Sequence, residues 1–253
     1  MYDDLTYKFL NIGHRGAPEV APENTLPSFL KALELGANGI ELDVTLSKDG
    51  AIVVFHNYLL HKTTDGRGLL ANYTLRELQS LDAGSFFSAD YANTHIPTLE
   101  EVIEAVGEDT FVMIEIKANP FAVKGVEKEV ARFVKSRNLY HRVVISSFSP
   151  LILKRVGQFD SRVSLGVLHV PIIPSLLNRC SFKTMTGAGV LHPLHGLVKP
   201  GYLNQVRKAG AKVIPWTVNR KEDMEKMMEL GVDGLITDHP EVLGSVLQER
   251  NKS

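Results

Sequence analysis

Cysteine is almost absent. Cys180 is the only one in 253 residues, so no intramolecular disulfide is possible, and a reducing compartment is the expectation. Long apolar runs are missing too, since none approaches the roughly 20 residues that a membrane-spanning helix needs. Excess charge of either sign is missing: 28 Lys and Arg stand against 29 Asp and Glu, for a net charge of −1, with no basic cluster. That removes the electrostatic case for nucleic acid or an anionic membrane. The stretch from Met1 to Leu10 is acidic and has no apolar signal core, which points to a soluble cytoplasmic protein. No glycine-rich dinucleotide fingerprint follows the first strand, because Gly13-His14-Arg15-Gly16 lacks the spacing. The rest of the composition is ordinary for a globular protein, at 44% hydrophobic and 23% charged.

Strands and helices alternate along the chain. A strand at Lys8 to Ile12 is followed by a helix capped at Asn24 or Thr25, with Pro27 in its first turn and Gly36 at its end. Strands capable of parallel pairing are centred near Asn11, Ile40, Met113, Ile145, Leu165, Val190, Ile214 and Leu235, the seventh reaching from Lys212 to Val218. Eight such strands, each leading into a helix, predict an α/β fold: a (β/α)8 TIM barrel built as a single domain over residues 1–253. An open doubly wound sheet is the alternative. Residues 47–95 break the rhythm and read as a small inserted subdomain after the second strand, capping the barrel. Val170 to Thr186 is irregular and partly apolar, a candidate loop over the site.

Gly39 to Leu46 alternates Ile40, Leu42 and Val44 with Glu41, Asp43 and Thr45, so the two carboxylates share a side. Ser47-Lys48-Asp49-Gly50 has the chemistry of a tight turn. Ala51 to Phe55 must then return antiparallel, which carries His56 back toward Glu41 and Asp43. Active sites of such barrels lie at the C-terminal ends of the strands. His14-Arg15, Glu115, Lys117, His192, Trp216 and Asp238 all fall there. Three carboxylates suit a hard divalent cation, and Arg15 and Lys117 suit a phosphate. Glu115 and Lys117 could instead only pair with each other; His192 could line a pocket or pack; Trp216 fits a substrate wall or the core.

These residues resemble the glycerophosphodiester phosphodiesterase family. The matching pieces are His14-Arg15-Gly16, Pro22-Glu23-Asn24-Thr25, Glu41-Leu42-Asp43, Lys48-Asp49-Gly50, His56 with Thr63-Thr64-Asp65-Gly66, Glu115-Ile116-Lys117, Ser147-Phe148, His192-Pro193, Trp216-Thr217-Val218-Asn219 and Thr237-Asp238-His239-Pro240. They run in family order through nearly the whole chain. The resemblance implies one divalent metal ion, Mg²⁺ or Ca²⁺, held by Glu41, Asp43 and Glu115. It implies His14 and His56 as the acid/base pair and Arg15 and Lys117 as phosphate ligands, with His192 and Trp216 as further candidates for substrate contact. The implied reaction is hydrolysis of a small-molecule glycerophosphodiester to an alcohol and sn-glycerol 3-phosphate, attacked by water or first by the glycerol 2-hydroxyl. Alternatives are a lysophospholipid- or sphingolipid-directed phosphodiesterase of the same fold and a non-catalytic phosphate-ester binder. Asn57 stands where the family usually has Asp. The sequence leaves the oligomeric state, monomer or dimer, open.

Overall fold

A computed structural model describes residues 9–118, 124–170 and 185–252. Nine strands can be followed: β1 (Leu10–His14), β2 (Gly39–Leu46), β3 (Ile52–Val54), β4 (Phe111–Ile116), β5 (Val143–Ser147), β6 (Ser164–His169), β7 (Val190–Pro193), β8 (Lys212–Val213) and β9 (Gly234–Thr237). All except β3 run parallel, in the order β8-β7-β6-β5-β4-β2-β1-β9. The ends of that sheet approach each other. Asp233 N donates to Val213 O at 2.9 Å, Ile236 N to Pro215 O at 3.0 Å and Val218 N to Ile236 O at 2.9 Å. The architecture is thus the expected eight-stranded parallel barrel rather than an open doubly wound sheet. β8 is shorter than the expected strand to Val218, because Pro215 has no N–H to give to the ladder. Pairing to β7 nonetheless continues through Trp216 N, which donates to Pro193 O at 3.0 Å.

The parallel strands are buried on both faces, as a sheet covered on both sides requires. Leu10, Ile12, Phe111, Met113, Val144, Leu168, Val190, Ile214 and Ile236 fill the barrel interior. The opposite faces, with Ile40, Leu42, Val112, Ile114, Ile145 and Leu235 among them, pack under the surrounding helices. Helix α1 (Leu26–Glu34) starts at Thr25, whose hydroxyl accepts from Ser28 N, and α2 (Leu75–Gln79) and α3 (Leu99–Ala105) each open on a full capping box, Thr74/Glu77 and Thr98/Glu101. Among the described residues the helices α4 (Val126–Ser136), α5 (Pro150–Phe159), α6 (Pro200–Lys208), α7 (Lys221–Leu230) and α8 (Pro240–Lys252) follow.

The hairpin departs from the barrel pattern. β2 pairs with β1 up to Glu41 and with β4 along Gly39–Val44, while its far end, Val44–Leu46, pairs antiparallel with β3. The turn closes with Gly50 N donating to Ser47 O at 3.0 Å, at a left-handed φ of +87° that glycine adopts without penalty. So β2 forks at the rim, and β3 leads out of the barrel. Beyond it, Val53, Phe55, Leu60, Leu70, Leu78, Ala83 and Ile96 form a separate small apolar cluster. Apart from Val170, the apolar loop Val170–Leu177 lies outside the described residues, as does Cys180.

Candidate active site

Strand alternation carries the interior side chains upward until they become polar. Ile12 is followed on its face by His14, Met113 by Glu115, Ile214 by Trp216 and Ile236 by Asp238. Glu41 and Asp43 come from β2 between them. Glu41, Asp43 and Glu115 are 3%, 1% and 7% exposed. One oxygen from each lies within 4.8 Å of the others. Three buried carboxylates repel one another and are poorly solvated. Burial, then the nearby Asp43, pushes Glu41 up to about 8, and burial with Asp43 also raises Glu115. Burial opposes ionisation of Asp43 as well, but Lys117, His56 and Arg15 outweigh it and hold that carboxyl low. Lys117 Nζ sits 3.0 Å from both Asp43 Oδ1 and Glu115 Oε1. The donor set is therefore three clustered hard oxygens, one of whose carboxyls is driven to keep its proton when no cation is present, which fits an oxygen-seeking divalent cation.

The cations are held from behind. Arg15 Nη1 meets Glu23 Oε1 at 3.2 Å and Oε2 at 3.1 Å, and its Nε lies 3.5 Å from Asp43 Oδ2. Its backbone N donates to Glu41 Oε2 at 3.0 Å. The two histidines differ. His14 Nδ1 lies 2.7 Å from Asp238 Oδ1, and Asn219 Nδ2 donates to Asp238 Oδ2 at 2.6 Å. With Nδ1 engaged by the carboxylate, Nε2 is turned toward Glu41, 4.0 Å away. Burial lowers the affinity of His14 for a proton, but Asp238 and Glu41 overcome it and the pKa is raised. Among the described residues His56 meets Asn57 Oδ1, at 3.4 Å, and burial lowers its pKa despite Asp43.

These groups surround one cavity of about 220 Å³. Its polar side is His14, Arg15, Glu41, His56, Glu115 and Lys117, and its apolar side is Met113, Phe148, Leu168, Trp216 and Ile236. Trp216 meets Phe148 edge to face at 5.5 Å. Its indole N–H donates to His192 O at 2.8 Å. His14, His56, Arg15, Lys117, Glu41 and Glu115 thus share one cavity with Trp216 in its wall, and Asp43 is buried in the carboxylate cluster with Glu41 and Glu115.

His192 does not behave as a substrate contact. It is fully buried, burial pushes it down to about 4, and its Nδ1 bonds Ile214 O at 3.1 Å. The imidazole is enclosed in the barrel, and it is the backbone carbonyl of His192 that holds the Trp216 indole. A Cβ on Gly166 would come within 2.5 Å of both His192 Nε2 and Ser146 Oγ, so only glycine fits there. Three residues were given no role from sequence, Glu23, Asn219 and Asp238, and Asn24 was read only as a candidate helix cap. The signal for Asp238 was available, since the period-2 alternation from Ile236 puts it on the inward face.

The sequence pattern of the glycerophosphoryl diester phosphodiesterase family matches residues 14–242. A protein of Caldanaerobacter subterraneus subsp. tengcongensis named glycerophosphodiester phosphodiesterase is 41% identical over 96% of this chain and 99% of its own. A phosphodiesterase of Oleispira antarctica, solved in complex with the product sn-glycerol-3-phosphate, superposes with a TM-score of 0.82 at 31% identity, covering 94% of this chain and 96% of its own. A glycerophosphodiester phosphodiesterase of Thermotoga maritima superposes at 0.76 with 30% identity, covering 95% and 99%.

Proposed function

This chain belongs to the glycerophosphoryl diester phosphodiesterase family and is a phosphoric diester hydrolase, and from that premise we propose the parts its residues take in cleaving a glycerophosphodiester to an alcohol and sn-glycerol 3-phosphate. The observation that carries the reading is one cavity bounded by two histidines, two cations and the carboxylates Glu41 and Glu115, with Asp43 clustered against those two. Glu41, Asp43 and Glu115 hold one divalent cation, Mg²⁺ or Ca²⁺. When bound, that cation supplies positive charge against the oxygens of the phosphodiester.

Arg15 and Lys117 bind the non-bridging phosphate oxygens, the guanidinium by its fork and the ammonium as a point charge. His56, kept neutral by its surroundings, accepts the proton of the attacking hydroxyl, from water or from the glycerol 2-hydroxyl. His14, whose charged form Asp238 stabilises, gives its proton to the departing alkoxide. The phosphorus–oxygen bond to the leaving alcohol breaks as the new one forms; after attack by the 2-hydroxyl, water then opens the cyclic phosphate with the imidazoles in exchanged roles, His14 taking the proton of the water and His56 returning one to the glycerol oxygen. Trp216 and Phe148 form an apolar wall for the carbon skeleton. The inserted segment, residues 47–95, which includes β3, serves as a cap over this side of the barrel.

The test is release of glycerol 3-phosphate from glycerophosphocholine, with and without added divalent cation, by the wild type and His56→Ala. The reading expects cation-dependent turnover that falls on the order of 10²–10⁴-fold in the variant. Equal rates for the two proteins would overturn the roles given to the histidines, and turnover indifferent to chelation would overturn the cation site.

A further inference from the structure

Among the described residues, Arg15, Asn24, Asn93 and Asn138 are the non-glycine residues with positive φ. Two of the four, Arg15 at +53° and Asn24 at +57°, lie in the short loop between β1 and α1. They are bonded to each other, Asn24 N donating to Arg15 O at 3.0 Å. Left-handed backbone is costly for most side chains, and asparagine bears it better than most. The loop is therefore held in this shape by what it contacts.

Asn24 is buried at 3% exposure, and its amide faces one residue, Asp43. Asp43 N donates to Asn24 Oδ1 at 3.2 Å, and Asn24 Nδ2 donates to Asp43 Oδ2 at 3.0 Å. The first bond fixes which way the amide points, since only the oxygen can accept from a backbone N–H. The NH₂ must then face the carboxylate. With Oδ2 bound by Asn24 and flanked by the Arg15 Nε, Oδ1 is the oxygen turned toward Lys117. The same loop bonds Glu41 through Arg15 N.

We propose that Asn24 is a positioning residue of the cation site: its amide locks the rotation of Asp43 so that Oδ1 is presented as a ligand. The phosphate-binding arm and two of the three carboxylates are thereby set by one loop. The inference rests on the reading of Glu41, Asp43 and Glu115 as cation ligands. Mg²⁺ and Ca²⁺ are titrated by calorimetry into EDTA-stripped and dialysed wild type, Asn24→Gly and Asn24→Ala, and each protein is melted in EDTA. Glycine keeps the left-handed backbone and removes only the amide; alanine adds strain. The expected result is a 10–100-fold weaker cation affinity in both variants. Asn24→Gly should melt in EDTA within a few degrees of wild type, and Asn24→Ala lower. Unchanged affinity in Asn24→Gly overturns the proposal, as does a loss of affinity that appears only where melting has also collapsed. A wild type that takes up neither cation overturns the cation-site reading itself.

Discussion

Acidification from pH 7 to pH 4 should destabilise the wild-type barrel more than a His192→Asn variant, by an amount the site's geometry sets. His192 is fully enclosed, and burial pushes it down to about 4 from an ordinary 6.5. In the unfolded chain the same imidazole takes its proton near 6.5. Between those two values the unfolded state binds a proton that the folded state refuses, so stability is full above pH 6.5 and drains away as the pH falls toward 4. At about 1.4 kcal/mol per pH unit across that window, the loss is on the order of 3 kcal/mol. Asparagine is the control because its amide N–H is placed to reach the Ile214 carbonyl that His192 Nδ1 now bonds, yet it does not titrate. Urea unfolding of both proteins at pH 7, 6, 5 and 4 gives the comparison. Other acid-sensitive groups are common to the two and cancel in the difference. If the gap in stability between them stayed the same at every pH, the enclosed neutral histidine would be refuted.

The remaining predictions concern the cavity. Asn57→Asp places a carboxylate beside His56 in place of a neutral amide, so the acidic limb of the pH–rate profile should move to higher pH; a limb that stays put would show that residue 57 does not act on His56. Asp238→Asn removes the charge at 2.7 Å from His14. The basic limb should move to lower pH and kcat should drop roughly 10²-fold, as expected for a mispositioned general acid; an unaltered profile would contradict the His14–Asp238 pairing. Cation uptake at pH 7 should release nearly one proton, because Glu41 is held near 8 without a cation. Calorimetry in buffers of different ionisation enthalpy measures that release, and a value near zero would mean the cluster is already fully ionised.

The sequence made the barrel and most of its mouth legible because both rest on local rules. Period-2 alternation places Glu41 with Asp43 and Glu115 above Met113, and a four-residue turn forces β3 to return beside β2. What was hidden depends on distant partners. Asp238 reaches His14 across 224 positions, and nothing in either neighbourhood announces the other. His192 looked like a rim residue, but it follows Val190 on the interior face of β7 and is fully buried, with its Nδ1 against Ile214 O. Asn24 looked like a helix cap; Thr25 does that work, which leaves the asparagine amide for Asp43. Pro215 cut short a strand whose apolar pattern ran on past it.

The fork in β2 bears on how such a barrel can diversify. Everything between Asn57 and His95 is suspended from a hairpin whose root is pinned on both sides: Phe55 N donates to Asp43 O at 2.9 Å, and Val54 N to Pro97 O at 2.8 Å. Lengthening or shortening the excursion between those two anchors leaves the root in place. Lineages can therefore rebuild that lobe without disturbing Asp43 and the carboxylates clustered with it.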